Sequence, residues 1–313
     1  MAKSTIVVFG ATGKQGGSVV KSILADSNAA AQFHVKAVTR DPSKGSAKAL
    51  ASLGAEVVAG DLDNKDSLHS VIKGAYGVFA VTNFWEKFSG DVEEAQGKAI
   101  ADAEAVKHLV WSSLIDVKKL SKGVLPGVYH FDSKAHVEDY IRSLGIPASF
   151  FLPGFFMSNL PGMSLREMPN GKWGLALPMP DDSPIPLFDA DDDTGKFVKA
   201  MFLNEQKVLG KRVYGATKYY TPTEIVQEFR ELYPSAGKDA GFSRLPHEAF
   251  KGIMASTGAP EVIQEEMLQN MRLIPEFGYY GGDSLDFSLS LLSEKPTTWK
   301  EYAKKSPVLA SLK

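Results

Sequence analysis

Gly10, Gly13 and Gly16 recur at every third position, directly after the apolar run Ile6, Val7, Val8 and Phe9. Glycine permits a positive φ and lets a ligand come close to the backbone. Where such a run is a strand and the next residues open a helix, the free N–H groups of the first turn and the helix dipole favour a pyrophosphate. The third glycine then lets helix and strand pack closely. The spacing is G-x-x-G-x-x-G rather than the commoner G-x-G-x-x-G, and the chain has no G-x-x-x-x-G-K-[ST] of the P-loop kind.

A second group of residues bears on which dinucleotide would bind. Val38-Thr39-Arg40-Asp41, followed by Lys44, falls where the second strand of such a unit ends, near an adenosine ribose. The planar fork of Arg40 suits a 2′-phosphate, and Lys44 adds charge, so the pattern favours NADP(H). The competing reading is a solvated loop in which Arg40 pairs with Asp41. Gly60, Asp61 and Leu62 follow a third apolar run and are placed to reach the adenine.

His130 and Lys134 stand four apart on an expected helix and share a face. Ser112 and Ser113 end the preceding strand and can face the same crevice. In many oxidoreductases of this architecture a tyrosine holds the first of those helical positions. It gives a proton to a carbonyl, while the lysine lowers its pKa and binds the nicotinamide ribose. Tyr129 does not replace it, because at about 100° per residue it lies roughly 140° around the helix from Lys134. His130 is a capable acid in its own right near pH ~6.5; otherwise it makes a structural hydrogen bond and nothing more.

Other chemistries are thin. The chain has no cysteine, which excludes disulfides, thiolate catalysis, Fe–S clusters and cysteine-type zinc sites. Its six histidines are scattered, and His130 and His136 fall on different helix faces. No G-x-S-x-G occurs. Asp189, Asp191, Asp192 and Asp193 read as a loop capping a helix that starts near Thr194, in preference to a cation site.

The elements that must hold these residues alternate regularly. Strands are expected at Ile6–Phe9, His34–Thr39, Glu56–Ala59, Gly77–Thr82, His108–Ser112 and Ala148–Leu152. Helices are expected between them at Gly13–Ala25, Ser46–Leu53, Ser67–Ile72, Val92–Ala105 and His130–Ser143. The alternation implies parallel pairing and right-handed crossovers, hence an α/β fold with a doubly wound sheet. Residues 154–186 carry seven prolines counted from Pro153 and read mostly as loop. Lys211–Ala216 reads as a strand. Thr221-Pro222-Thr223-Glu224 opens a helix as a capping box. Ile263, Met267, Met271 and Ile274 form one helical stripe in a C-terminal third that reads as largely helical.

The chain has 313 residues, 44% apolar and 23% charged, with a net charge of −2. That is the profile of a soluble globular protein with one large or two small domains. The near-neutral charge argues against direct nucleic-acid binding. Signal-peptide order is missing at the N-terminus, and no stretch approaches the ~18 apolar residues of a membrane span. The expected location is the cytoplasm, with the nucleus as a compartment continuous with it.

Together, "VVFGATGKQGGSV", "AVTRDP", "GAEVVAGDLD", "VTNFWE", "SSLIDVKKL" and "HFDSKAHVEDYIRSLGIP" resemble the NmrA-like family, atypical relatives of the short-chain dehydrogenases, and especially its vertebrate NADPH-sensing branch. The last two segments are specific to that family; the glycine turn is widely shared. The resemblance implies a Rossmann-type part spanning 1–153, with later strands from about 184–217 returning to it. It also implies a smaller, mainly helical part from 154–183 and 218–313 that meets partners or substrate. Cofactor contacts carried over by resemblance fall on Gly10, Thr12, Gly13, Lys14, Gln15, Arg40, Lys44, Asp61, Thr82, Asn83, Phe84 and Lys134, and on the loop Gly154, Phe155, Phe156 and Met157. Met157 stands where the vertebrate branch has an acidic residue, and the C-terminal third matches loosely.

Members of the family commonly lack the catalytic tyrosine and are taken as redox-ratio sensors acting through regulatory protein partners. A sensor, with a homodimer as one partner state, is therefore the first reading. The second is an NAD(P)H-dependent reductase of a flat apolar carbonyl or quinone, using His130 or a water as proton donor beside Lys134. The missing tyrosine favours the sensor. Lys134 and the aromatic stretch Phe150, Phe151, Phe155 and Phe156 favour the reductase. In a sensor, the segment 154–186 and the neighbouring 82–88 loop are the expected moving parts.

Overall fold

Val7 and Val8 are fully buried because strand β1 (Ser4–Val8) lies in the middle of a sheet covered on both faces. The computed structural model describes residues 2–103 and 106–312. Its strands in chain order are β1, β2 (Phe33–Thr39), β3 (Glu56–Ala59), β4 (Gly77–Ala80), β5 (His108–Ser112), β6 (Ala148–Pro153), β7 (Phe155–Phe156), β8 (Leu165–Glu167), β9 (Trp173–Leu177), β10 (Ile185–Phe188), β11 (Arg212–Gly215), β12 (Lys218–Tyr220) and β13 (Gly241–Arg244). The helices of the first half are α1 (Lys14–Ala25), α2 (Ser27–Gln32), α3 (Gly45–Ser52), α4 (Lys65–Ile72), α5 (Phe84–Lys87), α6 (Gly90–Ala103), α7 (Val117–Leu120) and α8 (Tyr129–Ser143). Those of the second half are α9 (Asp193–Leu203), α10 (Glu205–Val208), α11 (Pro222–Leu232), α12 (His247–Ser256), α13 (Glu261–Phe277), α14 (Asp286–Ser290) and α15 (Trp299–Lys305).

The main sheet runs β11-β6-β5-β4-β1-β2-β3, all parallel. This is the expected doubly wound sheet. Its strand order reverses between β1 and β4, so the carboxyl ends of those strands open the crevice where such sheets bind ligands. Two buried clusters cover its faces. One contains Val19, Val20 and Ile23 of α1 with Phe197 and Met201 of α9; the other contains Trp111, Phe131, Val137 and Ile141.

Expected and observed bounds agree within a few residues through β6. The strand expected to reach Thr82 stops at Ala80, which frees Thr82 and Asn83 to leave the sheet toward the crevice. The expected helix end at Ala105 lies outside the described residues. The capping box at α11 is present: Thr221 accepts from Glu224 N, and Glu224 from Thr221 N.

Residues 154–186 depart from the expected loop. They carry β7, a 3-10 turn at Met157–Asn159, β8, β9 and the start of β10. β7 pairs with β10, β9 with β13 and β10 with β12, whereas β8 pairs with its neighbour β9, giving the sheets β12-β10-β7 and β13-β9-β8. The strands are too short to show periodicity, and the prolines punctuate them without preventing the pairing. Of the stretch expected to return to the main sheet, β11 does so, whereas β10 pairs with β7 and β12.

The aspartate run also differs. No side chain caps α9. Asp193 instead accepts from Thr297 N and Thr297 Oγ1, both at 2.9 Å, and Asp189 pairs with Lys305. The carboxylates tie the C-terminal segment to the start of α9. No group of residues suited to a metal ion occurs among the described residues. No described helix is long and apolar enough to cross a membrane.

Candidate functional site

The turn from β1 to α1 needs its glycines. Gly10 has φ +62°, and a Cβ there would lie 2.7 Å from Val81 Cγ1. A Cβ on Gly16 would lie 2.3 Å from Gly10 O, so Gly16 serves packing beneath the turn. Gly13 begins α1 with no side-chain cap. The N–H groups of the first helical turn are left for a ligand.

A crevice runs from this turn along Gly10, Thr12 and Gly13 to Arg40, Lys44, Asp61 and Leu62, with Asn83 and Glu86 on its other side. Sequence reasoning missed Glu86. Arg40 makes a two-bonded ion pair with it, Nη1 to Oε1 at 2.5 Å and Nη2 to Oε2 at 3.2 Å. The pairing with Asp41 considered from sequence does not form; Asp41 accepts from Ser43 N and Ser43 Oγ. Lys14 reaches across to Ser158 Oγ at 2.9 Å, away from this crevice.

Beyond the turn lies an apolar cavity. Gln15, Thr82, Phe84, His130, Lys134, Gly154, Phe155 and Phe156 line it, all of them singled out from sequence. Thr82 faces this cavity and its neighbour Asn83 the crevice, so the two spaces adjoin. Met157 is fully buried in the core and lines neither space. Of the aromatic stretch, Phe150 and Phe151 are core residues too.

Lys134 sits on α8 with its ammonium buried. It donates to Thr82 O at 3.2 Å, Thr82 Oγ1 at 2.8 Å and Glu93 Oε1 at 2.5 Å. Glu93, on α6, is 2% exposed and also accepts from Ser133 Oγ at 2.5 Å. Burying an ammonium requires such a partner, yet sequence reasoning did not find it, because the two residues lie on different helices. All three ammonium hydrogens are used within the protein.

His130 lines the cavity between aromatic rings, 4.8 Å from Trp85, 4.8 Å from Phe131 and 5.9 Å from Phe84. Its Nδ1 meets Glu266 Oε1 at 2.7 Å. Tyr129 is 47% exposed and points elsewhere, as its helical angle implied. Ser112 is fully buried behind the cavity and donates to Gln15 Oε1 at 2.8 Å, so it supports a lining residue without lining the cavity itself. Ser113 does neither: it donates to buried Glu138 at 2.7 Å, on the other side of β5. Helix α13 closes the cavity with Met267, Met271 and Asn270. The methionines fall on the stripe read from sequence, whereas Asn270 and Glu266 were missed. Their spacing beside that stripe was the available signal.

The sequence matches the profile of the NmrA-like family over residues 2–303. It is 34% identical over 261 residues to the NmrA-like family domain-containing oxidoreductase malD of Malbranchea aurantiaca, covering 78% of this chain and 76% of that protein. Its fold is similar to that of NmrA, a negative transcriptional regulator, solved in complex with NADP (TM-score 0.78, 22% identity, 97% of this chain and 95% of that one). It is also similar to triphenylmethane reductase of Citrobacter sp. complexed with NADP(H) (TM-score 0.74, 19% identity, 97% and 100%).

Proposed function

The chain belongs to the NmrA-like family, and on that footing we propose that it binds NADP(H) and reduces a small, flat, apolar carbonyl compound. The residues fit the cofactor. The uncapped first turn of α1 and the tight backbone at Gly10 suit a pyrophosphate. Asp61 and Leu62 suit the adenine, Arg40 and Lys44 a 2′-phosphate, and Gln15, Thr82, Asn83 and Phe84 the nicotinamide end. Bound as NADPH, the cofactor supplies a hydride. The remaining tasks fall to the protein. Aromatic and methionine side chains exclude water from the cavity. Lys134 stands where the ribose would lie and exchanges one of its internal hydrogen bonds to reach it. His130 holds a proton at the cavity wall.

The observation that carries this reading is the enclosure of His130 and Lys134 in one apolar cavity adjoining the glycine crevice. Oxidation of NADPH by the purified protein across a panel of aryl ketones, enones and quinones tests it. Turnover with at least one class is expected; bound NADPH with no turnover across the panel overturns it.

One observation favours the sensor as a second reading. The Arg40–Glu86 pair fastens α5 to the adenosine end. A 2′-phosphate competes with Glu86 for Arg40, and α5 with the residue that ends it carries the exposed side chains of Trp85 and Phe88 that a protein partner can read. Cofactor occupancy would then change a surface without any turnover.

A further inference from the structure

Helix α13 comes from the far end of the chain, and Glu266, Gln269 and Asn270 on it are all buried. Helix α8 begins without a side-chain cap of its own, so its first N–H groups need acceptors from elsewhere. α13 supplies them. Gln269 Oε1 accepts from Gly127 N at 2.7 Å, and Glu266 Oε1 accepts from His130 N at 2.8 Å. The same Glu266 oxygen meets His130 Nδ1 at 2.7 Å. A carboxylate only accepts, so Nδ1 carries the hydrogen and Nε2 is the nitrogen left to act in the cavity. Asn270 lies one turn along α13, lines the same cavity and is 5% exposed. Its Nδ2 has no hydrogen-bond partner among the described residues. A buried amide donor left unpaired is a penalty that a ligand oxygen relieves.

We propose that α13 supplies the half of the site that reads the substrate: Asn270 Nδ2 anchors the carbonyl oxygen of a flat aryl ketone, and Glu266 is a positioning residue that holds His130 with Nε2 toward that oxygen. This rests on reading the cavity as a site of reduction. The carbonyl carbon gains the hydride and its π pair moves to oxygen. That oxygen takes the proton from Nε2 of the imidazolium and becomes a hydroxyl. The ring stays bonded to Glu266 through Nδ1, and Nε2 regains a proton from water at the 12% exposed side chain. Met267 and Met271 of α13, together with Phe84 and Tyr279 in the same lining, suit a flat ring system.

The test compares 1-indanone with indane, a ligand of similar shape without the acceptor. Binding to the full chain in the presence of NADP+ is followed by quenching of Trp85, which faces the cavity. The wild type is expected to prefer 1-indanone roughly tenfold, as one hydrogen bond allows. Asn270→Leu should lose that preference, and Asn270→Ser should keep part of it. NADPH affinity within about twofold of wild type certifies the fold of each variant. An undiminished preference in Asn270→Leu or Asn270→Ser overturns the anchor. Failure of the wild type to bind NADP+ overturns instead the reading on which the proposal rests. Glu266→Gln keeps an acceptor for His130 N but cannot stabilise an imidazolium. It should lower kcat for 1-indanone at least about tenfold with KM nearly unchanged. An unchanged kcat removes Glu266 from the mechanism.

Discussion

Arg40 lines the crevice already engaged by Glu86, and under the proposed reading the strength of that engagement sets how well it would read a 2′-phosphate. Its guanidinium is pushed further up in pKa, first by the hydrogen bond to Glu86 and then by that carboxylate's charge. Arg40→Ala should therefore weaken NADPH binding about tenfold or more, since a charge-assisted hydrogen bond is worth about 1.5–3 kcal/mol, and leave NADH binding nearly unchanged. Glu86→Gln, which removes the competitor, should strengthen NADPH binding severalfold. Titration by cofactor fluorescence decides both; equal losses for the two cofactors in Arg40→Ala would mean that the residue does not read the phosphate. A different residue governs acid stability. His108 is fully buried, with Nε2 at 2.6 Å from Ser149 Oγ. Burial pushes its imidazole down to about 4 from an ordinary value near 6.5. The unfolded chain takes up this proton first, so the stability is present above the unfolded value and drains away as pH falls from about 6.5 to about 4. Asp132, pushed up by burial to about 6, acts in the opposite sense over the same window. The double variant His108→Leu/Ser149→Ala isolates the histidine. Its urea midpoint should fall less than that of the wild type between neutral pH and pH ~4.5, by an amount worth up to about 3 kcal/mol. Parallel curves would refute the assignment.

Helix α8 shows how one element is held from several sides. Its start is capped by α13, its middle anchors Lys134 to α6, and its end is fixed by Glu138. That carboxylate is fully buried and accepts from Ser113 Oγ, Arg142 Nε and Nη2, and Arg212 Nε at 2.7–3.0 Å. It joins α8 to β5 and β11 in one cluster. Removing it leaves two part-exposed guanidinium groups and a buried hydroxyl without this acceptor, so Glu138→Ala should destabilise the fold by about 1–3 kcal/mol. A shift in the urea midpoint below about 1 kcal/mol in equivalent terms would show that the cluster contributes little. Where β6 passes into β7, space is the constraint. A Cβ on Gly154 would lie 2.3 Å from Pro186 O and 2.9 Å from Gly215 O, so the chain can cross from one sheet to the next here only without a side chain.

At the scale of the molecule, the packing bears on which part would respond to cofactor in a sensor. The segment 154–186 was expected to move, yet Leu160, Leu165, Leu175 and Leu177 within it are buried and its strands pair into two sheets. By contrast α5 buries Phe84 alone of its four residues, and Phe88 behind it has φ +51°, an unfavourable value for a bulky side chain. Beyond the exposed Arg40–Glu86 pair, this short element is held by the ring contacts of Phe84 and Trp85 with His130, few ties for a segment on the rim of both spaces. Hydrogen exchange with saturating NADPH should therefore change at residues 83–90 and along 155–159, with 165–186 nearly unaltered. Exchange altered across all of 165–186, with 83–90 silent, would count against α5 as the responsive element.

The sequence alone determined the parts of this protein whose signals are local. Strands alternate with helices at periods of two and 3.6; glycines mark the β1–α1 turn; Thr221 and Glu224 announce a helix start; His130 and Lys134 share a face because four residues make about one turn. Each of these follows from backbone geometry acting over a few residues, and each stands in the structure. Only the tertiary structure decided who neutralises whom. Arg40 meets Glu86 across 46 residues, Lys134 meets Glu93 across 41, and His130 meets Glu266 across 136. The unpaired Nδ2 of Asn270 and the pairings of β7 with β10 and β9 with β13 belong to the same class. A buried charge must find its counter-charge and a short strand its neighbour, but the chain can supply either from any distance, and nothing in local spacing records which residue the fold will bring.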